Sequence, residues 1–138
     1  MKKLSDWINN ISTGWVTLIG LVIFLLFTAT VLPSQAERAE AYSGEIGSPD
    51  TSFYYSADTL YQFADAYGPQ GRDAYIRARL TFDVLWPLIY LAFLATSISW
   101  GFKQAGRSGD GWTQLNLAPV LGLIFDYLEN GASVVVMA

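Results

Sequence analysis

Three long stretches of apolar residues run through the chain, and polar segments separate them. They lie at 15–32, 80–101 and 115–138, and each is close to the roughly 20 helical residues that cross a bilayer. We therefore predict an all-α integral membrane protein with three transmembrane helices. The first stretch also fits a signal peptide, because Lys2 and Lys3 precede it, but it is long for a signal core.

The polar segments contain two further helical patterns. Apolar residues recur every three or four positions in 4–11, which predicts a short interfacial helix before the first span. The loop at 33–79 contains turn residues at 43–44 and 47–50 and continues into an amphipathic helix at 56–67, which ends at Gly68-Pro69. The tyrosine-rich face of that helix either lies on lipid headgroups or covers the helix bundle. From Arg72 onward, a helix can continue without a break into the second span.

Basic residues predict the orientation of the spans. Lys2 and Lys3 precede the first span, and Lys103 and Arg107 lie between the second and the third. Segments rich in Lys and Arg remain in the cytoplasm. The amino terminus and the loop at 102–114 are therefore predicted to be cytoplasmic, and the longer loop between the first two spans is exoplasmic.

Three arginines near the outer end of the second span oppose this orientation. They are Arg72, Arg77 and Arg79. The guanidinium group suits both phosphate and carboxylate, so these residues are candidates for contact with lipid headgroups or with a carboxylate. Arg79 and Asp83 are four residues apart, and we predict that they form an ion pair along the helix.

Polar residues also interrupt the second and third spans. On insertion scales an ionisable side chain at mid-bilayer costs about 2.5–3.5 kcal/mol, so such residues need buried partners or water. Their spacing of three and four places them on one face of each helix, where polar side chains can bind across a helix contact. The predicted intramembrane polar cluster consists of Asp83, Tyr90, Asp126, Glu129 and Asn130.

Specific contacts follow from the depth of these residues. Counted at about 1.5 Å per residue along two antiparallel helices, Tyr90 and Asp126 have similar depths, and we predict a hydrogen bond between them. Asn130 follows Asp126 by one helical turn and is predicted to donate to the same carboxylate. Pro87 lacks an N–H group and thereby frees the carbonyl of Asp83 as an acceptor.

The composition disfavours several functions. The 138 residues include no Cys and no His, which are the usual ligands of haem, zinc and related groups, so we predict no cofactor and no metal. A net charge of −4 without a basic run predicts no nucleic-acid binding. No nucleophile accompanies the paired carboxylates, and we therefore predict that the protein is not an enzyme.

One pattern of glycine, aromatic and polar residues runs through the second half of the chain. Its residues are Tyr67-Gly68, Gly71-Arg72, Tyr75, Asp83, Pro87, Tyr90, Asp126 and Glu129-Asn130. The pattern resembles small uncharacterised bacterial polytopic membrane proteins with an Asp-x-x-Glu-Asn motif in a late transmembrane helix. The resemblance implies a bacterial inner membrane location and no activity. Such proteins often have a fourth span, so either the third helix ends at the outer surface or the chain stops short of a fourth span.

Three functional hypotheses remain from the sequence. The leading one is a non-catalytic accessory or assembly subunit of a multi-subunit membrane complex, whose partners are the lipid bilayer and other membrane subunits. It would pack through the polar helix faces and the aromatic exoplasmic loop. The alternative is a carrier or a proton or cation conductor that uses Asp126 and Glu129. The third is a membrane enzyme that acts on a lipid-like substrate.

Overall fold

The computed structural model describes residues 1–44, 54–107 and 111–138, and the elements within these ranges are helical. In chain order they are α1 (Lys2–Ile11), α2 (Gly14–Ser43), α3 (Ala57–Gln104), a 3-10 helix (Gly111–Leu117) and α4 (Ala118–Met137). Three stretches are long and apolar enough to cross a membrane, namely Gly14–Ser43, Ala57–Gln104 and Gly111–Met137. The helical class and the three candidate spans predicted from the sequence are therefore confirmed.

Helix α2 extends well beyond the predicted first span. The sequence predicts that a loop begins at 33, whereas α2 continues through Pro33 to Ser43. The segment 36–41 consists of Ala, Glu and Arg, which have high helix propensity, so the helix continues readily after the proline. The turn residues predicted at 47–50 lie outside the described residues.

Gly68 divides α3 into two helical parts. Its backbone has φ 60° and ψ 179°, a conformation that glycine adopts readily because it has no Cβ. Pro69 then begins the second part, where its missing N–H group has no helical partner to lose. The first part begins at Ala57 and agrees with the helix predicted at 56–67; the second part continues without a break into the second span, as predicted, but ends at Gln104 rather than at 101. The exoplasmic location of the first part stays a prediction.

The chain forms two compact units. Unit 1 comprises Met1–Phe27 and Leu85–Asp126, and unit 2 comprises Thr28–Val84 and Tyr127–Ala138. In unit 1, the ring of Phe24 stacks on Phe93 with centroids 5.0 Å apart. A Cβ atom at Gly20 would lie 3.5 Å from the Cα atom of Phe93, so the glycine brings α2 close to α3, as small residues do between membrane helices.

A buried asparagine connects α1 to the rest of unit 1. Asn116 has 0% of its surface exposed, and its Nδ2 donates to the Ser5 carbonyl at 3.0 Å and to Ser99 Oγ at 2.9 Å. At the end of α1, Lys103 Nζ donates to the carbonyl of Ser12 at 2.8 Å. These hydrogen bonds hold α1 through its polar side.

The apolar side of α1 is exposed as a consequence. Leu4, Trp7 and Ile11 retain 50%, 59% and 40% of their surface. A helix in water normally shows the reverse arrangement, with its apolar residues inside. This arrangement suits the interfacial helix predicted at 4–11, because its apolar residues can enter a bilayer surface.

Unit 2 contains a cluster of buried apolar residues. The core consists of Leu60, Phe63, Ala64, Tyr67, Tyr75 and Met137. The first part of α3 thus packs against the end of α4 and against its own second part. Of the two alternatives for the tyrosine-rich face, this contact favours packing, although Tyr61 on the same helix is exposed.

Candidate functional site

The predicted intramembrane polar cluster is divided between the two units. Tyr90 and Asp126 belong to unit 1, and the remaining members belong to unit 2, namely Asp83, Glu129 and Asn130. Each unit has its own polar contacts, and each set is considered in turn.

In unit 1, the hydroxyl of Tyr90 donates to the carboxylate of Asp126, which confirms the predicted hydrogen bond. Both side chains are half-buried. Gly122 permits this approach, because a Cβ atom there would lie only 3.4 Å from the Tyr90 hydroxyl. Trp86 contacts the Tyr90 ring edge-on with centroids 5.9 Å apart, so the phenol is held from two sides.

In unit 2, Arg79 is the centre of a buried polar network. Its guanidinium donates to Asp83 at 2.7 Å, which confirms the predicted ion pair, and to Asn130 Oδ1 at 3.2 Å. A third hydrogen bond, of 2.6 Å, reaches the hydroxyl of Tyr75, and the guanidinium carbon lies 4.3 Å from the centre of that ring. The positive charge of Arg79 is therefore compensated within the protein.

Two side chains of α4 bind the backbone next to Pro87. The proline has no N–H group and cannot donate to the Asp83 carbonyl. Asn130 Nδ2 donates to the freed Asp83 carbonyl at 3.3 Å, and the Tyr127 hydroxyl donates to the Val84 carbonyl at 2.9 Å. The freed Asp83 carbonyl therefore accepts a hydrogen bond, as predicted. The predicted hydrogen bond from the Asn130 amide to Asp126 is wrong, because that amide donates to the freed Asp83 carbonyl instead.

Glu129 has a partner that the sequence did not indicate. The hydroxyl of Tyr55, which lies before α3 and outside the candidate spans, donates to Glu129 Oε1 at 2.7 Å. Burial, followed by the hydrogen bond and the negative charge of Glu129, raises the pKa of the Tyr55 phenol above its ordinary value of 10.0. Glu129 itself is exposed. Tyr55 is one of several tyrosines in its segment, and nothing in their spacing distinguishes it.

The three candidate arginines have different surroundings. Arg79 is buried against a carboxylate, in agreement with one of its two predicted contacts. Arg77 is exposed and lies 3.4 Å from Asp73, whereas Arg72 is half-buried. Contact of Arg72 and Arg77 with lipid headgroups stays a prediction.

Metal ligands do not gather in the part of the chain that the structure describes. No group of three or more His, Cys, Asp or Glu side chains lies within ligating reach there. The carboxylates of the predicted cluster instead accept hydrogen bonds from tyrosine and arginine. The absence of a cofactor stays a prediction from composition.

The helices and their contacts define a class of protein. Three helices long and apolar enough to span a bilayer, with hydrogen bonds between polar side chains of neighbouring helices, indicate a multi-pass membrane protein. Comparison of the chain with protein-family models, with curated proteins and with solved structures finds no match.

Proposed function

We propose that the protein is a non-catalytic accessory or assembly subunit of a multi-subunit membrane complex in the bacterial inner membrane. The observation that carries this proposal is the use of polar side chains within the apolar helices. Asp83 pairs with Arg79, and Asp126 accepts a hydrogen bond from Tyr90. Asn130 and Tyr127 bind backbone carbonyls. The Arg79–Asp83 pair lies within α3, whereas the other three contacts connect α3 with α4, as structural polar groups do between the helices of membrane proteins.

The amino terminus is assigned to the cytoplasm in this proposal. Lys103 binds the end of α1, so Lys103 and the helix that carries Lys2 and Lys3 lie at one end of unit 1. Exposed tryptophans at the same end, Trp7 and Trp112, are 59% and 61% exposed. Basic residues on the cytoplasmic side and tryptophan at the interface both support this orientation.

The proposal is tested by extracting the intact protein from its native membrane with a mild detergent and measuring its mass under native conditions. A subunit is expected to leave the membrane with other chains in a fixed ratio, and a harsh detergent should release it alone. Tagging either end of the chain controls for loss of a partner through the tag. A monomer that carries only lipid and detergent under all mild conditions contradicts the proposal.

Transport remains the second candidate because Asp126 is half-buried rather than fully enclosed. A carboxylate in a spanning helix that water can reach suits binding of a proton or a cation. In vesicles that contain the purified protein, a carrier would show a pH-dependent flux that Asp126→Asn and Glu129→Gln abolish without loss of folded protein. If both variants reduce stability but the vesicles that contain them keep the flux of wild-type vesicles, the result argues for the structural role.

A further inference from the structure

Glu129 borders an exposed apolar face of α4. Leu128 and Val135 are 64% and 77% exposed, and Ala132 between them is also exposed. These three residues share one face because their positions differ by four and by three. Charged residues within membrane spans almost always face protein or water rather than lipid. Because Glu129 lies beside this face, protein or water rather than lipid is expected next to it.

The charges around Glu129 indicate what that protein supplies. The guanidinium of Arg79 binds Asp83 at 2.7 Å, so this cation already has a carboxylate. Tyr55 gives Glu129 a hydrogen bond but no positive charge. Arg79, Asp83 and Glu129 together carry one positive and two negative charges when ionised. A cationic group next to Glu129 would neutralise the excess.

We infer that the face formed by Leu128, Ala132 and Val135 binds a transmembrane helix of a different subunit, and that this helix carries a Lys or Arg side chain against Glu129. The inference rests on the proposed function and names the chemistry of the partner. A second copy of the chain fits less well, because a two-fold contact centred on this face brings two Glu129 carboxylates together. Like charges in such a contact repel each other.

Photo-crosslinking in the native membrane tests which molecule covers the face. A crosslinking amino acid replaces Leu128 in the intact chain, and the same amino acid at Ile19, which is 57% exposed on α2, is the control. The expected product from position 128 is an adduct with a different chain, and the crosslinked peptide lies in an apolar span with a Lys or Arg within or beside it. An adduct of twice the chain mass, an adduct with lipid alone, or a partner span without a basic residue overturns the inference.

Glu129→Gln tests the charge separately. The substitution keeps an acceptor for Tyr55 and removes the negative charge, and we expect at least a tenfold lower recovery of the partner in mild detergent. Asp65→Asn removes the same charge from an exposed position on the first part of α3 and should leave recovery unchanged. Tyr55→Phe keeps the Glu129 charge and should also retain the partner.

Charge exchange completes the test. Glu129→Lys should lose the partner, and Glu substituted for the partner's basic residue should restore it. Equal recovery with wild type and Glu129→Gln contradicts this inference while leaving the subunit proposal intact. If the wild-type chain has no protein partner under any mild condition, the proposed function itself is wrong.

Discussion

Removal of the Arg79 side chain should destabilise unit 2 strongly, and Arg79→Met is the most direct test of its polar network. Methionine is unbranched, so it retains most of the packing of the arginine stem and preserves helix propensity. The substitution removes three hydrogen bonds, to Tyr75, Asp83 and Asn130. The carboxylate of Asp83 then remains in place without its cation.

The burial of this pair sets the expected magnitude. The side chains of Arg79 and Asp83 are 9% and 13% exposed, so solvent replaces little of the lost interaction. Breaking a buried ion pair from one side typically costs about 3–5 kcal/mol, because it leaves an uncompensated charge. We expect the free energy of unfolding of Arg79→Met to fall within that range.

The chain contains a matched control on the same helix. Arg77 and Asp73 are also four residues apart, but their side chains are 81% and 72% exposed and their closest atoms are 3.4 Å apart. Exposed pairs of this kind contribute about 0.2–1 kcal/mol. Arg77→Met should therefore change stability by less than about 1 kcal/mol.

Unfolding in mixed micelles of mild detergent and dodecyl sulfate, followed by circular dichroism, gives both free energies. The double variant Arg79→Met with Asp83→Leu removes both charges, and we expect it to be more stable than Arg79→Met alone, because no unpaired carboxylate remains. Equal losses for Arg79→Met and Arg77→Met refute the argument from burial. Asp83→Leu alone completes the cycle. If the double variant loses as much unfolding free energy as Arg79→Met and Asp83→Leu lose in sum, the two side chains do not interact and the pairing is refuted.

Four further substitutions test other positions in the same unfolding assay. Tyr90→Phe removes the donor to Asp126 and should cost about 1–2 kcal/mol; a value near zero contradicts a structural role for that hydrogen bond. Gly71→Ala should cost about 1–3 kcal/mol, because the added Cβ would lie 3.0 Å from Tyr42 Cβ. Gly131→Ala is its control, because the added Cβ enters open space, and it should be neutral or stabilising by up to about 1 kcal/mol. The pKa of the Tyr55 phenol is raised in the folded chain, so with rising pH this phenol ionises first in the unfolded chain. The free energy of unfolding should therefore fall as the pH rises above 10.0. Tyr55→Phe should reduce this alkaline loss, and an unchanged profile contradicts the assignment.

The contacts that the sequence predicted correctly depend on helical geometry alone. Arg79 and Asp83 are one turn apart on one helix, so their pairing requires only that the helix forms. The hydrogen bond between Tyr90 and Asp126 requires in addition that two spans be antiparallel and of known depth. Both conditions follow from the pattern of apolar residues.

The contacts that the sequence did not predict depend on segments without such periodicity. The position of Tyr55 is set by the segment before α3, where the sequence indicates only turns and aromatic residues. Asn116 lies in a 3-10 helix that the sequence assigned to the third apolar stretch and its flank. The extension of α2 to Ser43 is not predicted by the sequence, because a proline such as Pro33 normally ends a helix. Local signals are weak at such positions, and tertiary contacts decide them.

The sequence does not distinguish Asp126 from Glu129, because both are carboxylates three residues apart in one apolar stretch. The structure distinguishes them by their burial and their contacts. Asp126 is half-buried and accepts a hydrogen bond from a tyrosine of a neighbouring span, which accounts for its presence within the protein. Asn130, one residue beyond Glu129, is accounted for by the carbonyl that Pro87 frees. Glu129 is exposed, and its hydrogen bond to Tyr55 does not compensate its charge. Because a charged group in a span needs a compensating environment, the search for a partner should begin at Glu129.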